Sequence, residues 1–562
     1  MSHNIKQSFL ERLIHSILES KLKKYTVYFL SLLMFAGSIY MIPTELVKAK
    51  MLPGKDSDTF SIYVDLPKGS SVKDTKEVTQ CISSILMKEQ DVLSTSVFLG
   101  EGLPLDFAGM VKGSVLKSGE NEAEMMININ KAHDRTEQSY NMVHRLRPII
   151  QSKCSLYNAN IKFIELPAGP PVLASVVAEI YGGSSYESRR SFANTIARVF
   201  ENQKTLVDVD VIAEETTTKY SLILDNNKVL ESGVGIEQVK KMLYIAFEGF
   251  ELSSINDANA QNQIPLFVRL DDSRILKDSS KEQLQEKLDA LKLMNKMGLR
   301  IPMSRFVTIK QTNQIPTITS KNLKKMINVI AETDMDSQIY PLLDARTQML
   351  ETMNDKYFVT KTNMLNLSFE DKKTGEVFDL VWDGELKVTI DTFIDLGGAF
   401  IGALVLIYLL MVIYYKRFAL AGAIVLASFL SLIGVIVGHY VMDQLTDDTF
   451  YLTATSLIGF IGLIGINSRN SLLIVDFAKQ LMTEHDLEPN RAIAIATATR
   501  AKPILLTVLA IVFASSLLAG DAVFGGLGVA LIGGTLFAYL VSLFFVPVSI
   551  QNSLKDIKLT NN

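Results

Sequence analysis

Cysteine, histidine and tryptophan are scarce in this chain: 562 residues carry two, six and one of them, and the formal net charge is only −4. Each scarcity closes off a class. Two cysteines, Cys81 and Cys154, do not make a disulfide framework; they form either one bridge or two buried thiols, and the sequence favours the thiols. The histidines are scattered at no ligand spacing, so no metal centre is expected. A small negative charge gives no reason to invoke nucleic acid. The first apolar run, Tyr25–Ile42, is long for a signal peptide and lacks a small-residue cleavage site after it, so no cleavable signal is expected. Long apolar runs are missing from about Pro43 to Lys387, which has ordinary soluble composition, and they dominate after Leu396. A chain of this length predicts two or more domains.

Spans of about 20 apolar residues are expected at Tyr25–Ile42, Leu396–Tyr415, Phe418–Met442, Ser456–Phe477, Pro503–Ala519 and Val523–Ile550. Lys21, Lys23 and Lys24 precede the first; Lys416 and Arg417 lie between the second and third; Lys479, Arg491, Arg500 and Lys502 lie between the fourth and fifth; Lys555 and Lys558 follow the sixth. The positive-inside rule then places the N-terminus in the cytoplasm and the large insert outside. Before the first span, Phe9, Leu10, Leu13, Ile14, Ile17 and Leu18 recur at helical spacing. They predict an amphipathic helix on the cytoplasmic membrane surface, or one packed on a partner's loops.

An arginine in the middle of the fourth span carries the most information. In SLIGFIGLIGINSRNSLLIVDFAK, Ser456–Lys479, Arg469 stands between Asn467 and Asn470 with apolar runs on both sides. A guanidinium at mid-bilayer costs roughly 2.5–3.5 kcal/mol by insertion scales, so it is expected to face a polar partner. No mid-membrane carboxylate matches it in this sequence. Asp476 lies near the cytoplasmic end and reads as a solvated terminus.

The external insert reads as strand, helix, strand at Thr59–Asp65, Val72–Lys88 and Val92–Leu99, and again at Glu124–Asn130, Arg135–Gln151 and Asn160–Glu165. This is the order of a split, ferredoxin-like unit. It recurs after Gly169-Pro170-Pro171, interrupted by a β-rich excursion, and Tyr220–Leu224 and Ile236–Ile245 are expected as a strand and helix of that second unit. Between Leu99 and Asn121 lies a long loop, GEGLPLDFAGMVKGSVLKSGE, with Leu103, Leu105, Phe107, Met110 and Val111 set among glycines. A mobile lid touching an apolar ligand and a plain surface loop are both open readings. The 21 methionines would suit soft metal ions. Met125 and Met126 point to opposite faces of a strand, however, and most others fall in helices or spans, so packing is favoured. His439 and Trp382 read as packing or interface residues.

GLIGINSRNSLLIVDFAK at Gly462–Lys479, TRAKPILLT at Thr499–Thr507, GGLGVALIGGTLFAYLVSLFFVPV at Gly525–Val548, IPMSRFVTI at Ile301–Ile309 and VWDGE at Val381–Glu385 together resemble the C-terminal half of a resistance-nodulation-division (RND) permease. The resemblance implies an α-helical membrane protein with six transmembrane helices and a large periplasmic α+β region of ferredoxin-like modules. Its parts would be a cytoplasmic helix (1–20), a first span (21–42), a first porter module (43–168), a second porter module (169–390) with a docking excursion at about 225–319, and five spans with a tail (391–562). By position Arg469 matches a relay lysine, Asn470 its neighbouring asparagine, Arg500 a cytoplasmic-side arginine and Thr507 a relay threonine. The loop holding Leu103, Leu105, Phe107, Met110 and Val111 matches a gating loop at the drug pocket.

The same resemblance implies a secondary transporter, not an enzyme. It would be a bacterial inner-membrane efflux subunit driven by the proton-motive force, without cofactor or metal. Its partners would be a first-half subunit carrying paired aspartates, a periplasmic adaptor and an outer-membrane channel, in a trimer of assembled pumps. Arginine in place of lysine departs from the pattern, because arginine effectively never loses its proton; the relay then needs a fixed cation. For Arg469 the plain alternative is a structural ion pair, for Thr507 a hydroxyl satisfied by its own helix, and for Arg500 a border charge. A SecD/SecF-like protein-export accessory or a non-transporting scaffold are the alternatives for the whole chain.

Overall fold

The computed structural model describes residues 8–104, 107–165, 169, 171–260, 263–270, 280–363, 365–446 and 448–560; for Phe107, Ala108 and residues 556–560 it describes the backbone alone. Two helices come first, α1 (Phe9–Glu19) and α2 (Lys21–Tyr40), with Ser20 between them. The next stretch runs β1 (Thr59–Asp65), α3 (Val72–Leu86), β2 (Val92–Leu99), α4 (Phe107–Lys112), β3 (Glu122–Ile129), α5 (Ser139–Cys154) and β4 (Asn160–Ile164). The strands form one antiparallel sheet in the order β2-β3-β1-β4, with Ile62 opposite both Met125 and Phe163. Alternation along β1 sends Phe60, Ile62 and Val64 into a core with Ile82 and Leu86 of α3 and Val143, Leu146 and Ile150 of α5. Met125 is part of that core. A capping box starts α3, Ser71 and Asp74 each bonding the other's backbone N–H at 2.9 and 3.3 Å.

The two cysteines are bonded. Cys81 of α3 and Cys154 at the end of α5 form a disulfide across a separation of 73 residues, which corrects the expectation of two thiols. Closing a loop of that length removes about 4 kcal/mol of unfolded-chain entropy in the chain-entropy model.

A second sheet starts with β5 (Val176–Gly182), α6 (Tyr186–Glu201) and β6 (Leu206–Ile212). Residues Ala213–Ile318 form a unit of their own. It contains β7 (Thr218–Leu224), α7 (Asn226–Glu231), α8 (Ile236–Phe247), β8 (Phe250–Ile255), β9 (Ile264–Val268), α9 (Lys281–Ala290), β10 (Lys292–Met294), β11 (Arg300–Pro302) and β12 (Val307–Asn313). The strand and helix expected at Tyr220–Leu224 and Ile236–Ile245 as parts of the second module belong to this unit, where β7 pairs with β12, Leu224 opposite Val307. The sheet of the second module then takes up β13 (Thr319–Lys321), β14 (Lys324–Thr333), α10 (Ile339–Thr352), β15 (Tyr357–Lys361), β16 (Leu367–Asp371) and β17 (Val377–Asp383). Its order is β13-β14-β5-β17-β16-β15, with β6 also on β14. Phe192 stacks on Phe378 at 4.4 Å, and Trp382 stacks on Phe200 while its indole N–H donates to the Leu365 carbonyl at 3.1 Å.

The apolar half holds α11 (Glu385–Tyr415), α12 (Phe418–Phe429), α13 (Leu432–Leu445), α14 (Ala454–Glu484), α15 (Pro489–Ala519), α16 (Gly525–Leu540) and α17 (Val546–Thr560), the last two joined through a π-helical segment at Val541–Phe545. Among the described residues, five helical stretches are long and apolar enough to cross a membrane: Glu385–Tyr415, Phe418–Leu445, Ala454–Glu484, Pro489–Ala519 and Gly525–Lys555. The expected first span falls on α2, whose first turn is occupied by Lys21, Lys23 and Lys24 and which is not among the five. Helices overrun the expected spans because an apolar run marks where lipid is, whereas helix propensity continues into the polar flanks; α15 begins at Pro489, well before Pro503. Glycine sets the closest packing. Gly434 of α13 and Gly533 of α16 face each other so closely that a Cβ on either would strike the other's carbonyl.

The apolar side of α1 is covered by this chain itself. Ile14 and Leu18 are buried against α15 and α17, and the Gln551 side chain donates to the Leu18 carbonyl at 2.8 Å. This chain therefore covers these two residues itself, while Phe9 and Leu13 stay exposed.

Candidate functional site

The middle of α14 is polar on its buried side. The single apolar run expected as the third span is broken at Leu430–Ser431, where the Ser431 N–H turns to the Ser428 carbonyl. That leaves the Ala427 carbonyl without its helical donor, and the Asn467 side chain supplies one at 2.8 Å. The Ser542 hydroxyl, in the π-helical segment, donates to Asn467 Oδ1 at 3.4 Å, and Ser468 and Ser428 share a 2.9 Å hydrogen bond. Two irregular helices thus meet at one asparagine, as a bilayer requires of any backbone group freed within it. Outward of this, His439 is buried and bonded on both ring nitrogens, to the Val435 carbonyl and to Ser456 Oγ, each at 2.8 Å.

Arg469 points the other way. Within the apolar part of α14 the exposed positions are Ile458, Gly462, Gly465 and Arg469, one stripe at helical spacing. A Cβ at Gly462 or Gly465 would meet nothing within 4 Å, so the stripe is an open helix face with a cation on it. Among the described residues Arg469 has no hydrogen bond and no ion pair. Asn470 is buried with its Nδ2 unpartnered, as is the neighbouring Ser471 hydroxyl. Thr507 is exposed and donates to the Pro503 carbonyl of its own helix at 3.1 Å. The Arg500 guanidinium lies 5.0 Å over the Phe477 ring, its Nε unpartnered. No hydrogen bond or ion pair among the described residues joins any two of these four.

Asp476 is not a solvated terminus. It is half-buried, and the Tyr415 hydroxyl of α11 donates to its Oδ1 at 2.8 Å.

The long loop between β2 and β3 is a pinned structure. The Leu103 N–H donates to Glu124 at 2.8 Å, Ser114 and Tyr63 share a 2.8 Å bond, and Lys117 pairs with Asp65 at 2.8 Å. A Cβ at Gly102 would run into the Ser114 carbonyl, which explains a glycine there. Lys112, at the end of α4, reaches Glu332 at 3.0 Å and the Leu173 carbonyl at 3.2 Å. Met110 and Val111 are exposed on α4. Leu105 lies outside the described residues, as does the side chain of Phe107.

Lys112–Glu332 is one of a row of such pairs. Arg147 meets Asp334 at 2.6 Å and Asp208 at 3.3 Å, His144 meets Asp334 at 2.7 Å, and Lys162 meets Asp210 at 2.5 Å. In every pair the basic residue comes from the first sheet's module and the acidic one from the second. Beside them opens a cleft lined by Lys50, Leu52, Lys112, Arg147, Glu165 and Glu385. Burial pushes the Glu165 carboxyl up to about 7, against the pull of Arg147 and Lys50. Burial would raise Glu332 too, but Lys112 and the Ser175 hydroxyl outweigh it and hold that carboxyl below its ordinary range.

Comparison with known proteins decides the family. The family model described as AcrB/AcrD/AcrF matches residues 1–550. The chain belongs to the AcrB/AcrD/AcrF family. It is similar to the swarming motility protein SwrC of Bacillus subtilis (23% identity over 541 residues, 93% of this chain and 45% of the relative). It is likewise similar to the multidrug resistance protein MdtC of Proteus mirabilis (23% identity, 88% and 44%) and the multidrug export protein AcrF of Escherichia coli (21% identity, 89% and 45%). A crystal structure of a heavy metal efflux pump shares the fold at a TM-score of 0.70 and 15% identity, over 97% of this chain and 52% of that one. The chain therefore spans less than half the length of the curated relatives it matches.

Within this AcrB-type chain, sequence reasoning missed Ser428 and Ser542, which complete the Asn467 cluster, and the acidic partners Asp208, Asp210 and Asp334. Nothing in a run such as LASFLSLIG says where the helix breaks. The acidic residues were visible, in VDVDV and ETDMD, as charges in or next to strands, but not their partners.

Proposed function

We propose that this chain is the C-terminal-half subunit of a proton-driven efflux pump that exports hydrophobic or amphiphilic compounds. The observation that carries the proposal is Arg469, a permanent cation on an open face of a membrane helix, in line with Gly462 and Gly465 and with no counterion among the described residues of this chain. Such a charge needs a carboxylate from outside. Coverage of less than half of each curated relative supports a missing half, and that half would present the carboxylates. Because arginine keeps its proton, coupling runs through the partner: protonating its carboxylates releases Arg469 and shifts α14 against the bundle. Asn470, Thr507 and Arg500 would complete the relay, although Thr507 would first have to leave its own helix's carbonyl.

In this reading α2 is the first of six spans, and the two sheets, each a βαββαβ framework, are ferredoxin-like porter modules in the periplasm of a double-membrane bacterium. The Cys81–Cys154 bond supports the external side, since structural disulfides belong to oxidising compartments. Leu103, Leu105, Phe107, Met110 and Val111 would contact substrate from a loop whose position depends on Lys112–Glu332. A periplasmic adaptor, an outer-membrane channel and assembly of three pumps would complete the machine. The family match favours efflux over a protein-export accessory. Affinity purification of the tagged chain from its native membranes tests the reading. Recovery of a first-half RND polypeptide with acidic residues in its fourth span is expected; a SecY-type partner would overturn it.

A further inference from the structure

The proposed relay leaves one step open: where Arg469 goes when the partner's carboxylates are protonated. A lysine could shed its charge there, but an arginine effectively cannot. The guanidinium must then stay in the bilayer bare or find a second counterion. From Ala454 to Glu484, α14 offers two carboxylates, Asp476 and Glu484. Asp476 is seven residues on from Arg469, about 10 Å along the axis and about 20° around it, and so on the same stripe. Toward the other end of α14 there is no acidic residue.

We infer that Asp476 is the second seat of Arg469, a positioning residue that holds the cation in the state in which the partner's carboxylates are neutral. This rests on the efflux reading above. The geometry suits the role. The Tyr415 hydroxyl fixes Asp476 through Oδ1 at 2.8 Å, and no other hydrogen bond or ion pair among the described residues occupies Oδ2. The aspartate Cβ leans back toward Arg469 while the arginine's own Cβ leans away from Asp476, so the long arginine side chain, turned toward the cytoplasmic end, spans the gap. The other charged groups nearby are already placed: Lys479 of α14 lies 5.1 Å over the Tyr415 ring, and Arg500 of α15 lies over Phe477. One cation shared between a seat across the interface and a seat on its own helix is a two-state element, with its equilibrium set by the proton.

The test is uptake of ethidium into energised everted vesicles from the producing bacterium, compared across the pH set in the vesicle lumen, which is the periplasmic side, for the wild-type chain, Asp476→Asn, Asp476→Glu and Tyr415→Phe. Without its second seat, Arg469 stays longer on the partner's carboxylates, and protonating them takes more acid. Asp476→Asn is therefore expected to slow uptake about tenfold and to move its pH midpoint about one unit toward acid, a tenfold change in competition for the cation. Asp476→Glu should restore both. Tyr415→Phe, which keeps the carboxylate, should leave the midpoint in place. If Asp476→Asn transports like wild type, or Tyr415→Phe reproduces its loss and shift, Asp476 is only a structural anchor between α11 and α14 and the inference is wrong. Wild-type vesicles whose uptake owes nothing to this chain or to the proton gradient would overturn the efflux reading itself, and this inference with it.

Discussion

The Asn467 side-chain amide donates to the Ala427 carbonyl at 2.8 Å, across two helices and at the point where one of them breaks. No water reaches such a carbonyl in a bilayer core, so its donor is obligatory. Asn467→Ala is expected to destabilise the helical half by about 1–3 kcal/mol, the cost of a buried polar group left unmade. Thermal unfolding in detergent, followed on the intact chain, checks this. Asn467→Leu, which fills the space without a donor, should do no better.

Reduction should loosen the first module selectively. Cys81→Ser is expected to lower the stability of the first module by about 2–4 kcal/mol while leaving the helical half unchanged. Non-reducing peptide mapping should recover Cys81 and Cys154 in one cross-linked species from native membranes.

The Glu165 carboxyl predicts a pH dependence with a definite sign. Its folded value of about 7 lies above its ordinary 4.5, so between those values the folded protein holds a proton that the unfolded chain has lost. Stability should be greatest on the acid side of that window and fall as pH rises through 7. Melting temperatures from pH 5 to 8 should show the slope, and Glu165→Gln, fixed in the neutral form, should abolish it.

Lys112 holds the long loop between β2 and β3 to the second module. Lys112→Ala leaves Glu332 without its cation and should cost about 1.5–3 kcal/mol, the range for hydrogen bonds to charged groups. Limited proteolysis should then cut within 100–117 faster than in wild type. Lys112→Arg, which keeps the charge, should resist more than Lys112→Ala.

How far the sequence reached depends on what each feature needs. The apolar runs mark the membrane helices because lipid demands an unbroken apolar surface, and the alternation of TFSIYVD gives β1 because one face of that strand is core. In the second sheet YFVTK, LSFED and VFDLVWD went unread, because polar residues and turns interrupt their alternation, although VFDLVWD lies inside the sheet between β5 and β16. The cysteine pair could not be joined from a separation of 73 residues, since pairing is fixed by how α3 and α5 pack. Amphipathy identified the apolar side of α1 but not its cover. At the site, the cost of a buried guanidinium drew attention to Arg469 and to the need for a counterion, whereas its outward direction and the hydrogen bond between Tyr415 and Asp476 follow from helix packing alone.

The central claim is that the open stripe around Arg469 is completed by a second half. Gly465 lies on that stripe with no neighbour within 4 Å of a Cβ, one turn from the arginine. A photo-reactive phenylalanine analogue placed at Gly465 and irradiated in native membranes tests the claim most directly. The account predicts a cross-link to a membrane helix of an RND first-half polypeptide that carries acidic residues. Adducts with lipid alone, or with a protein lacking intramembrane carboxylates, would contradict it.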